Sequence, residues 1–167
     1  MMRMVVAAVV ALTFAAQGGT TGVHVWKMAD ITAKGKALAQ KLDAQKVASE
    51  VIATEGNRKF MVAHREGSGQ AEWHEKEADV MFISAGNVTM IYGGTIVDEK
   101  TTAAGEKRGS SIKGGTEAKL GAGDVLHIPA KVPHQMILAP GDIIQFGVVE
   151  TTFEVPAGVY QGAKPCR

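Results

Sequence analysis

The chain has 167 residues and a mass of 17.6 kDa, enough for one domain with a real core and too little for two comfortable ones. Hydrophobic residues make up 46% and charged residues 21%, which excludes a disordered chain. With 18 basic and 17 acidic residues the formal charge is +1, and there is no zinc-finger spacing or basic run interleaved with aromatics, so nucleic acid is not an expected partner.

The first segment, "MMRMVVAAVVALTFAAQGG", carries one early positive charge at Arg3 and an uncharged run from Met4 to Ala16, then small residues. That layout predicts a signal peptide over residues 1–18, because the apolar run is shorter than the roughly 20 residues that span a bilayer. The expected destination is the periplasm or the medium, with no stable membrane span after processing. An uncleaved anchor or a buried strand is the competing reading. Cys166 is the single cysteine, so an exported chain would have no intrachain disulfide and its fold would rest on its core.

Residues 19–45 form an N-terminal extension in which "ADITAKGKALAQKLDA" predicts a short helix. Asp30 suits the N-cap, and Ile31, Leu38 and Leu42 can share one face. From Lys46 the texture changes to short alternating stretches: "KVASEVIA", "RKFMVAHR", "QAEWHE", "DVMFISA", "NVTMIYGG", "EAKLGAGDVLHIPA" and "HQMILAPGDIIQFGVVE". Turn signals at "EGN", "GSG", "AGN", "GAGD" and "APGD" separate them. This pattern predicts an all-β domain over residues 46–155, an antiparallel sandwich or small barrel, followed by a tail over 156–167. Met81, Phe82, Ile83, Ile143, Ile144 and Phe146 are the expected core. The polar, Gly-rich stretch from Val97 to Glu117 reads as a long loop joining two halves of that domain.

One stretch, "GQAEWHEKEADVMFISAG", gathers chemistry. In a strand, alternate side chains share a face, so Glu72 and His74 project together and Trp73 points away, toward packing or a dimer contact. Asp79 can return to the same side at the start of the next strand. Further on, "GDVLHIPAKVPHQM" brings His134 to the start of another strand. Two carboxylates and two imidazoles meeting in a barrel mouth make an oxygen and nitrogen set suited to a divalent first-row metal.

These two stretches resemble the motifs of the cupin superfamily, in its small single-domain form. The family's first motif is Gly, five residues, His-x-His, three or four residues, Glu, six residues, Gly; the matching register here is Glu72-x-His74, four residues, Asp79, six residues, Gly86. Its second motif is Gly, five residues, Pro-x-Gly, two residues, His, three residues, Asn. The match is Gly123, five residues, Pro129-Ala130-Lys131, two residues, His134, three residues, Leu138. The resemblance covers roughly Val47 to Glu150. Glu72 replaces a His, Asp79 a Glu, Lys131 a Gly and Leu138 an Asn, and the opening Gly of the first motif is displaced to Gly67.

The resemblance implies an antiparallel double-sheet β-barrel (cupin or jelly roll) with a metal in its mouth. Glu72, His74, Asp79 and His134 would be the metal ligands. Two carboxylates favour Mn, Fe or Zn, with Ni as a further option. A small-molecule ligand or substrate is the expected partner, and strand-exchanged homodimers are common in similar proteins. Oxygenase, isomerase and lyase activities all occur on this fold, so the fold chooses no reaction. As catalytic base the sequence offers Glu72, which would leave His74, Asp79 and His134 as a two-His, one-carboxylate triad, or His64, whose strand leads into the motif. A metal-free ligand-binding barrel and a dimerisation module without catalysis are the alternatives.

Overall fold

A computed structural model describes residues 23–152. The leader over residues 1–18 and the whole tail over 156–167, with Cys166, lie outside the described residues. Helix α1 (Met28–Leu38) runs into a short 3-10 turn (Ala39–Lys41), and twelve strands follow. They are β1 (Val47–Glu55), β2 (Arg58–Arg65), β3 (Ala71–His74), β4 (Glu77–Tyr92), β5 (Thr95–Val97), β6 (Lys100–Ala103), β7 (Glu106–Gly109), β8 (Ser111–Lys113), β9 (Thr116–Gly121), β10 (Val125–Ile128), β11 (His134–Ile137) and β12 (Ile144–Thr152). Among the described residues no helix is long and apolar enough to cross a membrane.

The strands curl into an antiparallel half-barrel. One half has the order β1-β2-β12-β4-β10, the other β9-β4-β11-β3-β7-β6, and β5 and β8 form a separate ribbon. Strand β4 belongs to both halves. The sequence predicts a turn at Ala85–Asn87, but the backbone stays extended and bends there. Against β12 the register skips Ser84, since Gln145 pairs with Ala85 and Phe146 with Ile83. Gly86 then adopts a left-handed conformation with φ of 83°. A bulge next to such a residue is how one strand turns the corner between two sheets. A side chain at Gly86 would collide with the Ile143 carbonyl, so the corner needs glycine for its conformation and for its space.

The main core lies between the two halves. Alternation along β4 and β12 sends Met81, Ile83, Ile144, Phe146 and Val148 inward, where they meet Met90, Met136 and Ile128. Of the six residues expected in the core, Phe82 is half-buried because it lies at an outward position of β4, and Ile143 is exposed because it precedes β12. The opposite face of β2 and β12 is covered by α1. Ile31, Gly35 and Leu38 form its buried stripe, and Ile31 and Leu38 pack on Ala48 and Val62. Burying each of those two helix side chains contributes about 1.5–3 kcal/mol. Gly35 lets the helix approach closely, since a Cβ there would sit 3.1 Å from Gln145 Cβ. The helix begins before Asp30: Lys27 is the N-cap, and Asp30 lies in the first turn, where its charge complements the helix dipole.

The stretch from Val97 to Glu117 is not a loop. It holds β6, β7 and β8, with β6 and β7 joined by a two-residue turn at Ala104–Gly105, where Gly105 has φ of 76°. Strand β7 pairs with β3, which places this segment directly beside the first motif.

Candidate metal centre in the barrel mouth

Strand β3 is four residues long and its alternation is as expected. Glu72 and His74 line a cavity of about 260 Å³, while Trp73 faces out beneath Lys107, whose ammonium lies 4.8 Å from the ring centre. A turn at Glu75–Lys76 leads into β4, and Asp79 returns to the cavity. His134 opens β11 opposite Glu72 and lines the same cavity. The tight turn before it is fixed at Lys131, where the cupin pattern has glycine. Lys131 takes the left-handed conformation that glycine would, with φ of 67°, and its backbone N–H donates to the His74 carbonyl at 2.8 Å. The second motif is thus bonded to the first.

The four side chains meet edge to edge. His134 Nε2 lies 3.4 Å and His74 Nε2 3.7 Å from the same Asp79 oxygen, and Glu72 Oε2 lies 3.8 Å from His74 Nε2. Glu72, His74 and His134 each offer a ligand atom within 4.8 Å of the others. The outer ring nitrogens explain how the rings are held. His74 Nδ1–H donates to Glu106 Oε2 at 2.7 Å, and His134 Nδ1–H donates to the Val132 carbonyl at 3.0 Å. Each bond assigns the proton to Nδ1 and leaves the Nε2 lone pair facing the carboxylates. A tetrahedral ion with bonds of about 2.1 Å holds its ligand atoms about 3.4 Å apart, so Glu72, His74 and His134 fit one ion in chemistry with a small contraction, while Asp79 stands close to the two imidazoles but outside that mutually close set.

Electrostatics follow from burial. Asp79 is 4% exposed, and desolvation pushes its pKa up from an ordinary 3.8 to about 7; His74 pulls the other way, and the carboxylates Glu150, Glu72 and Glu77 add to the rise. His134 is pushed down, first by burial, with its bond to Val132 opposing. The buried Asp79 carboxyl thus resists ionisation, and a divalent cation beside it would stabilise its charged form.

The sequence missed Glu106 and Arg108, both on β7. Glu106 orients His74, and Arg108 holds Glu106 at 3.0 Å while reaching toward Glu72 at 3.7 Å. A carboxylate behind a ligating histidine fixes the ring and raises its basicity. The signal available was the one-residue spacing of Glu106 and Arg108 after an Ala-Gly turn, which puts both on one face of a strand.

His64 is a correction. Its neighbours Ala63 and Arg65 line the cavity, whereas His64 is on the opposite face of β2, 2% exposed. There Nε2–H donates to Glu66 Oε1 at 2.9 Å, and Gln145 Nε2 approaches Nδ1 at 3.5 Å. It cannot serve as base in this cavity, because the sheet lies between. Glu72, the other candidate base, does face the cavity.

No protein-family model and no curated protein matches the chain. Solved structures do. The chain is similar to the protein TT1209 from Thermus thermophilus, with a TM-score of 0.50 at 18% identity over 70% of this chain and 92% of that one. It is similar to a cupin 2 conserved barrel domain protein from Rhodopseudomonas palustris, with a TM-score of 0.47 at 18% identity over 64% of this chain and 61% of that one. Peruvianin-I, a cysteine peptidase from Thevetia peruviana latex, gives a TM-score of 0.47 at 11% identity over 66% and 64% of the two chains. The chain therefore spans less than two thirds of the length of these last two proteins. Such likenesses concern the fold alone. The fold is an antiparallel half-barrel, similar to that of TT1209, and its cavity is lined by residues of both stretches that resemble the cupin motifs.

Proposed function

We propose that the barrel mouth holds one divalent first-row metal between Glu72, His74, Asp79 and His134 and presents it to a small organic molecule in the cavity. One observation carries the reading. Both histidines spend their Nδ1 protons on outward partners, so two Nε2 lone pairs converge on carboxylate oxygens at 3.4–3.8 Å with no donor hydrogen bond joining them. Such a convergence of acceptors favours a cation over a purely protein-bonded network.

When bound, the metal would polarise an oxygen of the small molecule. The chain's own residues do the rest. Glu106 and Arg108 fix the His74 ring, the Val132 carbonyl fixes His134, and Met61, Met81, Phe146 and Val148 give the molecule an apolar wall that excludes water. Glu72, half-buried on the rim, would take one of two roles: a fourth ligand, or, with the metal held by His74, Asp79 and His134 and a position left open for the bound molecule, the base that accepts its proton. The leader's composition supports action outside the cytoplasm.

The test is elemental analysis of the purified protein beside His74→Ala/His134→Ala. About one equivalent of Mn, Fe, Zn or Ni per chain is expected in the wild type and little in the double variant. Wild-type protein that takes up no metal after reconstitution with each of these ions overturns the reading.

A further inference from the structure

Arg65 ends β2 on the cavity-facing parity of Met61 and Ala63, and among the described residues it is the only lysine or arginine lining the cavity. Its neighbour Gly69 has no side chain to crowd the guanidinium, since a Cβ there would stand 3.1 Å from Nη1. The Arg65 Nε–H is buried without a hydrogen-bond partner, and among the described residues Arg65 has no ion pair. Burial lowers its pKa, with Glu72 and Asp43 opposing, yet a guanidinium stays charged at neutral pH.

The cavity's acidic groups are already engaged. Lys59 holds Glu150 at 3.2 Å, Arg108 stands 3.7 Å from Glu72, and Asp79 sits between the two histidines. A half-buried guanidinium with a buried, unpartnered Nε–H and no ion pair is costly to hold, and a ligand anion can relieve that cost. We infer that the cavity takes a small organic carboxylate, its carboxylate paired with Arg65 and its apolar body lying on Met61, Met81 and Phe146. The inference rests on the reading of this cavity as a small-molecule site. A carboxylate matches the planar fork of one guanidinium and its single charge, whereas a phosphate dianion calls for more cations than the cavity lining provides.

The test is calorimetric titration of the full-length protein with acetate, isobutyrate and benzoate, using the matching amides and phenyl phosphate as controls. Wild type, Arg65→Met and Arg65→Lys are compared, each metal-loaded and each after chelation, with thermal melting to establish folding. At least one carboxylate is expected to bind the wild type more tightly than its amide, about 10- to 100-fold more weakly to Arg65→Met, and with partial recovery in Arg65→Lys. Equal affinity in wild type and Arg65→Met overturns the inference and leaves the metal reading intact. Wild type that binds none of the three carboxylates, or that prefers phenyl phosphate to benzoate, also overturns it. Arg65-dependent carboxylate binding in a protein that never takes up metal supports the inference and removes the metal reading.

Discussion

Glu106 Oε2 accepts a hydrogen bond from His74 Nδ1 at 2.7 Å, across directly paired positions of β7 and β3. The bond settles which nitrogen of His74 faces the cavity, and its charge makes that nitrogen a better ligand. Glu106→Gln keeps an oxygen acceptor and removes the charge. Metal affinity is expected to fall by about 10- to 100-fold while the fold persists. Competition titration against a chelating dye, with circular dichroism as the control for folding, checks this. Unchanged affinity would mean that the pair is structural only.

Asp79 links pH to stability in the metal-free protein. Its folded pKa of about 7 exceeds the ordinary 3.8, so the folded state holds the proton more tightly than the unfolded one. The stabilisation is fully present below the unfolded value and is lost as pH rises through about 7. His134 has the opposite sign, because burial depresses its pKa from 6.5 and protonation of the unfolded chain costs stability below that value. From about pH 6.5 upward Asp79 therefore dominates the pair. The melting temperature of chelated wild type is expected to drop between about pH 6.5 and pH 8, and that of Asp79→Asn to stay nearly flat. Added metal competes with the Asp79 proton, so its affinity rises with pH over the same interval. A rising melting temperature in the chelated wild type would contradict the assigned direction.

The four candidate ligands were legible in the sequence because period-two alternation and motif spacing both bear on them, and each lies on a strand with one buried face. Glu106 and Arg108 were not. Strand β6 is exposed throughout and β7 is mostly half-buried, so no hydrophobic alternation marks them, and Ala104–Gly105 is a weaker hairpin signal than Asn-Gly. The continuity of β4 was hidden for a related reason. Gly86 reads as punctuation between two strands, yet its conformation bends one strand from the first half of the barrel into the second. The side on which His64 lies depends on the register of β2 against β12, which a local pattern does not contain.

His64 provides a control for the site. Its ring is buried, with Glu66 and Gln145 as its polar neighbours, on the face of the sheet away from the candidate metal ligands. His64→Leu leaves the Gln145 amide without its ring partner and is expected to cost about 1–3 kcal/mol in denaturant unfolding. Metal stoichiometry and affinity should match the wild type. A loss of metal by a folded His64→Leu protein would mean that the two faces of β2 are coupled, or that His64 reaches the cavity.

Lys131 and Gly86 both hold positive φ, at 67° and 83°, and replacing each should have opposite consequences. Lysine at such a position carries a Cβ that crowds the backbone, a cost of about 1 kcal/mol that glycine avoids. Lys131→Gly is therefore expected to stabilise the protein, less what glycine gives back through a more flexible unfolded chain, so the net gain is a few tenths to about 1 kcal/mol. Gly86→Ala adds the same backbone penalty and also drives a methyl group into the Ile143 carbonyl, against backbone that has no room to yield. Its cost should exceed about 3 kcal/mol or abolish folding. Gly56→Ala separates the two contributions: its φ of 58° imposes the backbone penalty, but a Cβ there meets nothing within 4 Å. If urea melts place Gly86→Ala and Gly56→Ala at equal cost, the corner in β4 does not depend on close approach to β12. If Gly86→Ala is far worse, as expected, the bend that carries β4 from one half of the barrel to the other is fixed by the absence of a single side chain.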